Sequence, residues 1–169
     1  MDAAAAAAAA GADVDIEIVV DDPRREDVHD LVRRHLSFAR SVTPPGHVHA
    51  LDAPSLDDDS ITLYSARRGG ELLGIGALKQ LDPGHGELKS MHVDVDARGQ
   101  GIGRAIVRHL LEAAVIRGYR RISLETGAGE AFAPARALYE TFGFVGCAPF
   151  NGYRENPESI CMTRALGSY

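Results

Sequence analysis

The sequence predicts a single mixed α/β domain, and two observations carry that prediction. Segments with alternating apolar and polar residues, typical of strands, are interspersed with segments whose apolar residues recur every three or four positions, typical of helices. The 169 residues are enough for one domain with a buried core, and no internal repeat or second domain is evident. The predicted order is β-α-β-β-β-α-β-α-β-β.

The N-terminal half begins with a strand, VDIEIVV (14–20), followed by a helix that opens after Asp22-Pro23 and includes DVHDLVRRHLSFA (27–39). A long Pro- and Asp-rich loop, 41–60, comes next, and such loops commonly bind something or are disordered. Two strands, 61–67 and 71–81, are joined by Arg68-Gly69-Gly70, a hairpin signal. After the turn LDPGHGE, LKSMHVDV (88–95) completes a three-stranded meander.

The C-terminal half contains two helices. The first, IGRAIVRHLLEAAVIRG, follows the loop RGQGIGR and ends at Gly118, a suitable C-terminal cap. After the short strand RRISLET (120–126), the second helix, APARALYETFG, begins at Pro134, a favourable first-turn residue. FVGCAPF and SICMTRAL form a closing strand pair around the loop 151–158, and this pair brings Cys147 and Cys161 close together as buried, reduced thiols.

The loop RGQGIGR (98–104) lies between a strand and a helix, so its backbone N–H groups and the helix dipole favour an anion. Two phosphate-binding motifs do not fit it. The dinucleotide fingerprint is G-x-G-x-x-G, whereas Gly99, Gly101 and Gly103 run G-x-G-x-G, and a P-loop needs a Gly-Lys-Ser/Thr that is absent here. A tight turn with no ligand remains an alternative for the loop taken alone.

Two blocks together resemble the GNAT superfamily of N-acetyltransferases. ELKSMHVDVDARGQGIGR (87–104) is similar to its motif A, with the pattern Arg/Gln-x-x-Gly-x-Gly/Ala, and ARALYETFGF (135–144) is similar to its A-x-x-L-Y-x-x-x-G-F segment. The resemblance covers roughly residues 13–166 and includes the order of elements. It implies a mostly antiparallel twisted sheet flanked by helices, in which the splayed central strands 88–95 and 121–125 form an acyl-CoA cleft.

The resemblance also implies site residues. The pyrophosphate of acetyl-CoA would bind the backbone of the glycine loop, while the pantetheine arm would pair with the strand at Met91 and Val93, and the Val93 amide would polarise the thioester carbonyl. Tyr139 would protonate the departing thiolate, because a phenol stays protonated at neutral pH. The cofactor-binding prediction comprises Met91, His92, Val93, Arg98, Gly99, Gln100, Gly101, Ile102, Gly103 and Arg104.

The general base stays open between Glu87 and Glu125, and a solvated carboxylate is the alternative for each. By strand alternation, Glu87 shares a face with Lys89 and Met91, and His92 lies on the opposite face. One position departs from the family pattern: Phe132 stands where an asparagine is common, so its contact to the CoA arm would be missing or supplied by the 127–129 segment.

Composition limits the other functions. The net charge is −6, with nine acidic residues and two arginines among residues 1–30, so no basic surface for nucleic acid is indicated. No apolar run reaches the roughly 18 residues of a membrane span.

Residues 1–12 form a low-complexity alanine-rich tail without the features of a secretory signal, and we expect them to be disordered. We expect the domain to comprise residues 13–169 and the protein to be cytoplasmic. His47-x-His49 lacks a third metal ligand, so no metal is expected.

The resemblance implies a monomeric or homodimeric N-acetyltransferase that transfers an acetyl group from acetyl-CoA in a ternary complex, and the non-basic composition favours a small-molecule or amino-acid amine as the acceptor. The acceptor would enter between residues 31–59 and the loop 150–157. The alternatives are a non-catalytic CoA-binding regulatory module and the acetylation of a peptide or protein amine.

Overall fold

The computed structural model describes residues 15–167 as one seven-stranded sheet with helices packed on its faces. The alanine-rich segment 1–12 lies outside the described residues. The strands are β1 (Glu17–Val20), β2 (Ile61–Arg68), β3 (Glu71–Asp82), β4 (His85–Val93), β5 (Arg121–Gly127), β6 (Val145–Cys147) and β7 (Ser159–Ala165). The helices are α1 (Glu26–Val42), α2 (Ala53–Leu56), α3 (Ile102–Ile116) and α4 (Ala133–Thr141), with 3₁₀ turns at Val95–Ala97 and Glu130–Phe132. The predicted element order is confirmed, and α2 is an addition within the 41–60 loop.

The strand order in the sheet is β1-β2-β3-β4-β5-β7-β6, and every neighbouring pair is antiparallel except β4 and β5. The β2–β3 hairpin turns at Gly69 and Gly70, which have φ of +56° and +84°, a left-handed backbone that glycine adopts without a Cβ collision. The predicted turn after β3 is shorter than LDPGHGE, because β4 begins at His85. The closing pair is also confirmed, with Cys147 directly opposite Cys161. Both thiols are free, but only Cys161 is buried; the prediction of burial is wrong for Cys147, which is half-buried because it lies on the short edge strand β6.

Two apolar clusters cover the two faces of the sheet. The cluster beneath α3 includes Ile102, Ile106 and Leu110, each at most 1 % exposed. The cluster beneath α1 and α2 includes Val28, Leu31 and Val32 from the first helix, with Ile75 and Ala77 from β3. Burial of these two stripes fixes α1 and α3 on opposite sides of β4, where the candidate site lies.

A buried ion cluster ties β1, α1 and β2 together. Arg67 donates from Nη2 to Asp21 (2.8 Å) and from Nη1 to Asp27 (2.7 Å), and the Ser65 hydroxyl also donates to Asp21. The side chains of Arg67 and Asp21 are only 7 % and 8 % exposed. Because a buried charge is costly without its partner, each member of this cluster depends on the others.

Candidate active site between the separating strands

The candidate site lies where β4 and β5 separate. These parallel strands pair over only four positions, from His85↔Arg121 to Leu88↔Leu124. Beyond that point β4 continues beside β3, while β5 continues beside β7, so the two central strands diverge. The predicted splay is therefore present, and it begins at Leu88.

A cavity opens in this splay and brings together the three predicted catalytic residues. Tyr139, Glu87 and Glu125 all line it, although they come from α4, β4 and β5. Residues 47–50 of the long loop and His35 of α1 form another part of the wall. The long loop therefore borders the cavity, as expected of a loop with a binding role.

Glu87 is buried and already carries two partners. Its side chain accepts hydrogen bonds at Oε1 from the Lys89 ammonium (3.0 Å) and the Tyr153 hydroxyl (2.5 Å), and the residue is 1 % exposed. Lys89 also donates to the Tyr153 oxygen (2.7 Å). A carboxylate that accepts hydrogen bonds from an ammonium and a phenol is less available as a proton acceptor than one without an ion pair.

Tyr153 brings the loop between β6 and β7 over the site. Its ring packs edge-on against His49 (5.1 Å between centroids) and against Phe150 (5.2 Å). Burial, followed by the negative charge of Glu87, raises the pKa of Tyr153, so the phenol stays protonated as a donor. The two segments predicted to flank acceptor entry thus meet at His49 and Tyr153.

Glu125 has a different environment. Its Oε1 accepts one hydrogen bond, from the Ser159 hydroxyl (2.8 Å). Burial raises the pKa of the Glu125 carboxyl and the nearby Glu87 acts in the same direction, against the Ser159 hydrogen bond and the positive charge of Lys89. A carboxylate with a raised pKa and a single hydrogen bond is a stronger proton acceptor than an ion-paired one.

Tyr139 is 6 % exposed and packs against Phe144 at 5.9 Å between ring centroids. Burial raises the pKa of its phenol, and the charge of Glu125 adds to this effect. The side chain therefore combines a packed ring with a protonated hydroxyl in a residue that lines the cavity. This placement suits a proton donor.

The predicted alternation along β4 is wrong beyond Lys89, because the strand contains a β-bulge. Between the pairs Ala77↔Lys89 and Ile75↔His92, β4 advances three residues while β3 advances two. The extra residue falls at Ser90, whose φ is +55°. As a result Met91 packs on the α3 side, whereas His92 faces α1 together with Glu87 and Lys89.

His92 pairs with His35 of α1, and their Nδ1 atoms lie 3.2 Å apart. Burial and the neighbouring His92 lower the pKa of His35 to about 4. Burial and the Arg98 charge lower the pKa of His92 to about 4 as well. Both imidazoles are therefore neutral at neutral pH, and one Nδ1–H donates to the other Nδ1.

The glycine loop leads into α3 with its backbone exposed. Gly99 and Gly101 have φ of +75° and +81°, and nothing lies within 4 Å of where a Cβ would project from either. The first hydrogen bond within α3 runs from the Ala105 amide to the Gly101 carbonyl (3.0 Å). The backbone N–H groups that precede Ala105 in the first turn therefore have no acceptor within the helix. The geometry of an anion site is present.

The side chains around this loop are held by other contacts. Arg98 Nε donates to the Val93 carbonyl (3.4 Å), Gln100 accepts from Arg68 (2.9 Å), and the Arg104 guanidinium lies 5.3 Å from the centre of the Phe142 ring. The Ile102 side chain is buried in the core, so only its backbone is available. Gly103 lets α3 approach α4, since an added Cβ would lie 3.3 Å from Leu138.

Phe132 fills the wall of the cavity beside the end of β5. A Cβ at Gly127 would lie 2.2 Å from its ring, and Phe38 of α1 meets it edge-on at 5.6 Å. Arg136 donates to the carbonyls of Gly127 (2.7 Å) and Gly129 (2.9 Å), which fixes the backbone of segment 127–129; whether the asparagine contact is missing or supplied by this segment stays open.

His47 and His49 both line the cavity. Within residues 15–167 no group of three or more His, Cys, Asp or Glu side chains is arranged to hold a metal ion. None of the helices in the same range combines the length and apolar character that a bilayer crossing requires.

Three residues at the site had not been singled out from the sequence for any role: Tyr153, His35 and Ser90. Tyr153 and His35 reach the site across 66 and 57 residues of chain, and their local sequence gives no sign of it. Ser90 could be recognised only through the bulge, which depends on the pairing with β3.

Comparison with known proteins agrees with these features. A family model described as Acetyltransferase (GNAT) family matches residues 25–144. "Uncharacterized N-acetyltransferase YsnE" of Bacillus subtilis (strain 168) is 45% identical over 149 residues, which are 88% of this chain and 99% of that protein. "Uncharacterized N-acetyltransferase YedL" of Escherichia coli (strain K12) is 42% identical over 88% of this chain and 94% of its own length.

The fold is also that of a solved structure, a GNAT family acetyltransferase from Elizabethkingia anophelis with acetyl-CoA bound. It superposes with a TM-score of 0.67 at 20% identity and covers 90% of this chain and 99% of that one.

Proposed function

Because the chain belongs to the GNAT family of acetyltransferases, we propose that it transfers an acetyl group from acetyl-CoA to the amine of a small molecule or amino acid, by direct attack in a ternary complex. The observation that carries this proposal is the cavity in the β4–β5 splay, which Tyr139 and Glu125 both line. It unites a protonated phenol with a carboxylate of raised pKa.

The residues at the N-terminus of α3 fit the pyrophosphate of CoA. Gly99 and Gly101 leave the loop backbone open to close approach, and the amides of the first turn of α3 supply N–H donors with the helix dipole behind them. Arg98 and Arg104 are exposed on either side of the loop and add positive charge. Acetyl-CoA bound in this way brings its reactive thioester to this chain.

The backbone of β4 fits the pantetheine arm. After Leu88 this strand has no hydrogen-bonded neighbour on its β5 side among residues 15–167, so polar backbone groups between Met91 and Val93 face the splay. Met91 and Val93 turn their side chains into the core beneath α3, and His92 turns its ring to α1. These three residues therefore bind the arm through the backbone, with the Val93 amide polarising the thioester carbonyl.

Glu125 is the general base of the proposal. It takes a proton from the acceptor amine, directly or through water, so that the nitrogen lone pair can attack the thioester carbon. Tyr139 then donates its proton to the departing sulfur and regains one from the acylated nitrogen, directly or through water, so that the neutral amide is released. Glu87 positions Lys89 and Tyr153 at the acceptor end of the cavity.

Direct attack is favoured over an acyl-cysteine route. Cys161 lies opposite Glu125 across the β5–β7 pair, and burial raises the pKa of its thiol to about 11. A thiol with this pKa is almost entirely protonated at neutral pH and is a poor nucleophile.

The charges at the cavity favour a cationic acceptor. Glu87, Glu125 and Glu158 line the cavity together with a single ammonium group, that of Lys89. The excess of carboxylates attracts an amine that arrives as its ammonium form. A compact aliphatic or amino-acid amine matches this wall better than an acidic molecule.

The test is a thiol-release assay with acetyl-CoA and a panel of amines, from monoamines and diamines to amino acids and an N-terminal peptide. Release of CoA that depends on an amine, with acetylated product identified by mass spectrometry, is the expected result. Calorimetry with CoA and ATP provides the binding control. Binding of ATP without binding of CoA would contradict the proposal.

A further inference from the structure

Ser90 is an unusual residue of the site, because its hydroxyl has no protein partner. Among residues 15–167, Ser90 Oγ is the one buried side-chain nitrogen or oxygen for which no hydrogen bond is formed. The residue is only 9 % exposed. A buried hydroxyl without a partner costs about 1–3 kcal/mol, so such a group is rarely kept without a use.

The backbone of Ser90 is also strained. Its φ of +55° places a residue with a Cβ in the left-handed region, at the extra position of the β4 bulge. Strain of this kind costs on the order of 1–3 kcal/mol and is concentrated at functional sites. Ser90 therefore carries two independent energetic costs, an unpaired buried hydroxyl and a strained backbone.

The location of Ser90 indicates which part of a ligand it meets. It lines the same cavity as Tyr139 and Glu125, and it lies two residues beyond Leu88, where β4 and β5 separate. The glycine loop begins eight residues further along the chain, after the end of β4. Ser90 is thus at the reacting end of the cleft and not at the phosphate end.

We propose that the Ser90 hydroxyl donates a hydrogen bond to the carbonyl oxygen of the acyl thioester and stabilises the negative charge that develops on that oxygen. This role rests on the proposed acetyl transfer. As the amine nitrogen bonds to the carbonyl carbon, the C=O π pair moves to the oxygen; when it returns, the C–S bond breaks and sulfur leaves with its electron pair. Ser90 keeps its proton throughout and acts beside the Val93 amide as a second donor.

The experiment uses the full chain with Ser90→Ala, which removes the hydroxyl without breaking a bond to any described protein group. We expect kcat to fall about 10- to 100-fold, since a donor to the developing oxyanion acts mainly in the transition state. Affinity for acetyl-CoA should fall about 2- to 10-fold relative to affinity for CoA, which lacks the acyl carbonyl. Stability toward urea should be unchanged or higher.

Two variants serve as controls. Ser90→Gly also removes the backbone strain, so it should lose kcat as the alanine variant does while gaining stability. Ser123→Ala removes another buried hydroxyl, one that contacts His85 and Thr163 outside the cavity. It should lower stability and leave the ratio of acetyl-CoA to CoA affinity unchanged.

The outcomes separate the two proposals. A Ser90→Ala protein with wild-type kcat and an unaltered affinity ratio would overturn the role of Ser90, and so would an equal loss of affinity for CoA and acetyl-CoA. If the wild-type protein turns over no amine, the proposed function fails, and the affinity ratio still decides whether Ser90 contacts the acyl group.

Discussion

Replacing Glu125 by glutamine tests the assignment of the general base. The amide has the shape of the carboxylate, and its oxygen still accepts the hydrogen bond from Ser159, which is 2.8 Å long in the wild type. Packing at the cavity should therefore be preserved while proton acceptance is lost. General-base catalysis contributes about 10²- to 10⁴-fold. We expect the lower end, a loss of about 100-fold in kcat or roughly 2.7 kcal/mol, because an amine that arrives deprotonated can still attack.

The pH dependence of kcat provides an independent test of Glu125 as the general base. A base must be ionised, so kcat rises with pH through the pKa of Glu125, which burial raises above that of an ordinary glutamate. Glu125→Gln should abolish this rise. Ser159→Ala removes a hydrogen bond that lowers the pKa of Glu125, so it should move the rise to higher pH without abolishing it.

The assay is the initial rate of CoA release at saturating acetyl-CoA between pH 5 and 9, with the best amine from the panel. Glu87→Gln is the matched comparison. It leaves the Lys89 ammonium, whose side chain is 9 % exposed, without its carboxylate, and should reduce the free energy of unfolding by about 3 kcal/mol. The reasoning is refuted if Glu125→Gln keeps kcat within threefold of wild type with the same pH profile.

Three further predictions concern other parts of the molecule. Tyr139→Phe should lower kcat at least tenfold and leave CoA affinity unchanged, since the ring packing is retained; an unaltered kcat would exclude the acid role. The folded protein keeps His35 and His92 neutral until about pH 4 while the unfolded chain protonates them near pH 6.5. Unfolding free energy should therefore fall on acidification across this range, by up to about 1.4 kcal/mol per pH unit for each imidazole, and urea titrations of a His35→Gln/His92→Gln double variant should show a shallower fall. Asp21→Asn replaces a carboxylate partner of the buried Arg67 by a neutral amide, so the free energy of unfolding should fall by about 3 kcal/mol in the same urea titrations. A loss below about 1 kcal/mol would mean that solvent compensates the charge of Arg67.

Features encoded within a short segment could be predicted from the sequence. The stripe of α3 repeats every three or four residues, Gly69 and Gly70 specify a tight hairpin, and Gly118 ends the helix with φ of +79°. Each of these signals acts between near neighbours. The order of elements and the position of the glycine loop followed from them.

The faces of the β4 side chains beyond Lys89 could not be predicted, because alternation assumes a regular strand. One extra residue at Ser90 reverses the alternation beyond it. The error concerned His92 in particular, since its placement on the same side as Glu87 is what allows its contact with His35. Nothing in the local sequence SMHV marks the bulge, which exists only in relation to β3.

The choice between Glu87 and Glu125 as the general base also could not be made from the sequence. Both are glutamates on neighbouring strands that line one cavity, and the sequence treats them alike. They differ in their partners: Lys89 and Tyr153 hold the first, whereas the second accepts one hydroxyl hydrogen bond. Tyr153 reaches Glu87 only because the β6–β7 loop folds back across the sheet. The difference in partners is therefore decided by long-range packing, and it is the reason for which we propose Glu125, not Glu87, as the base.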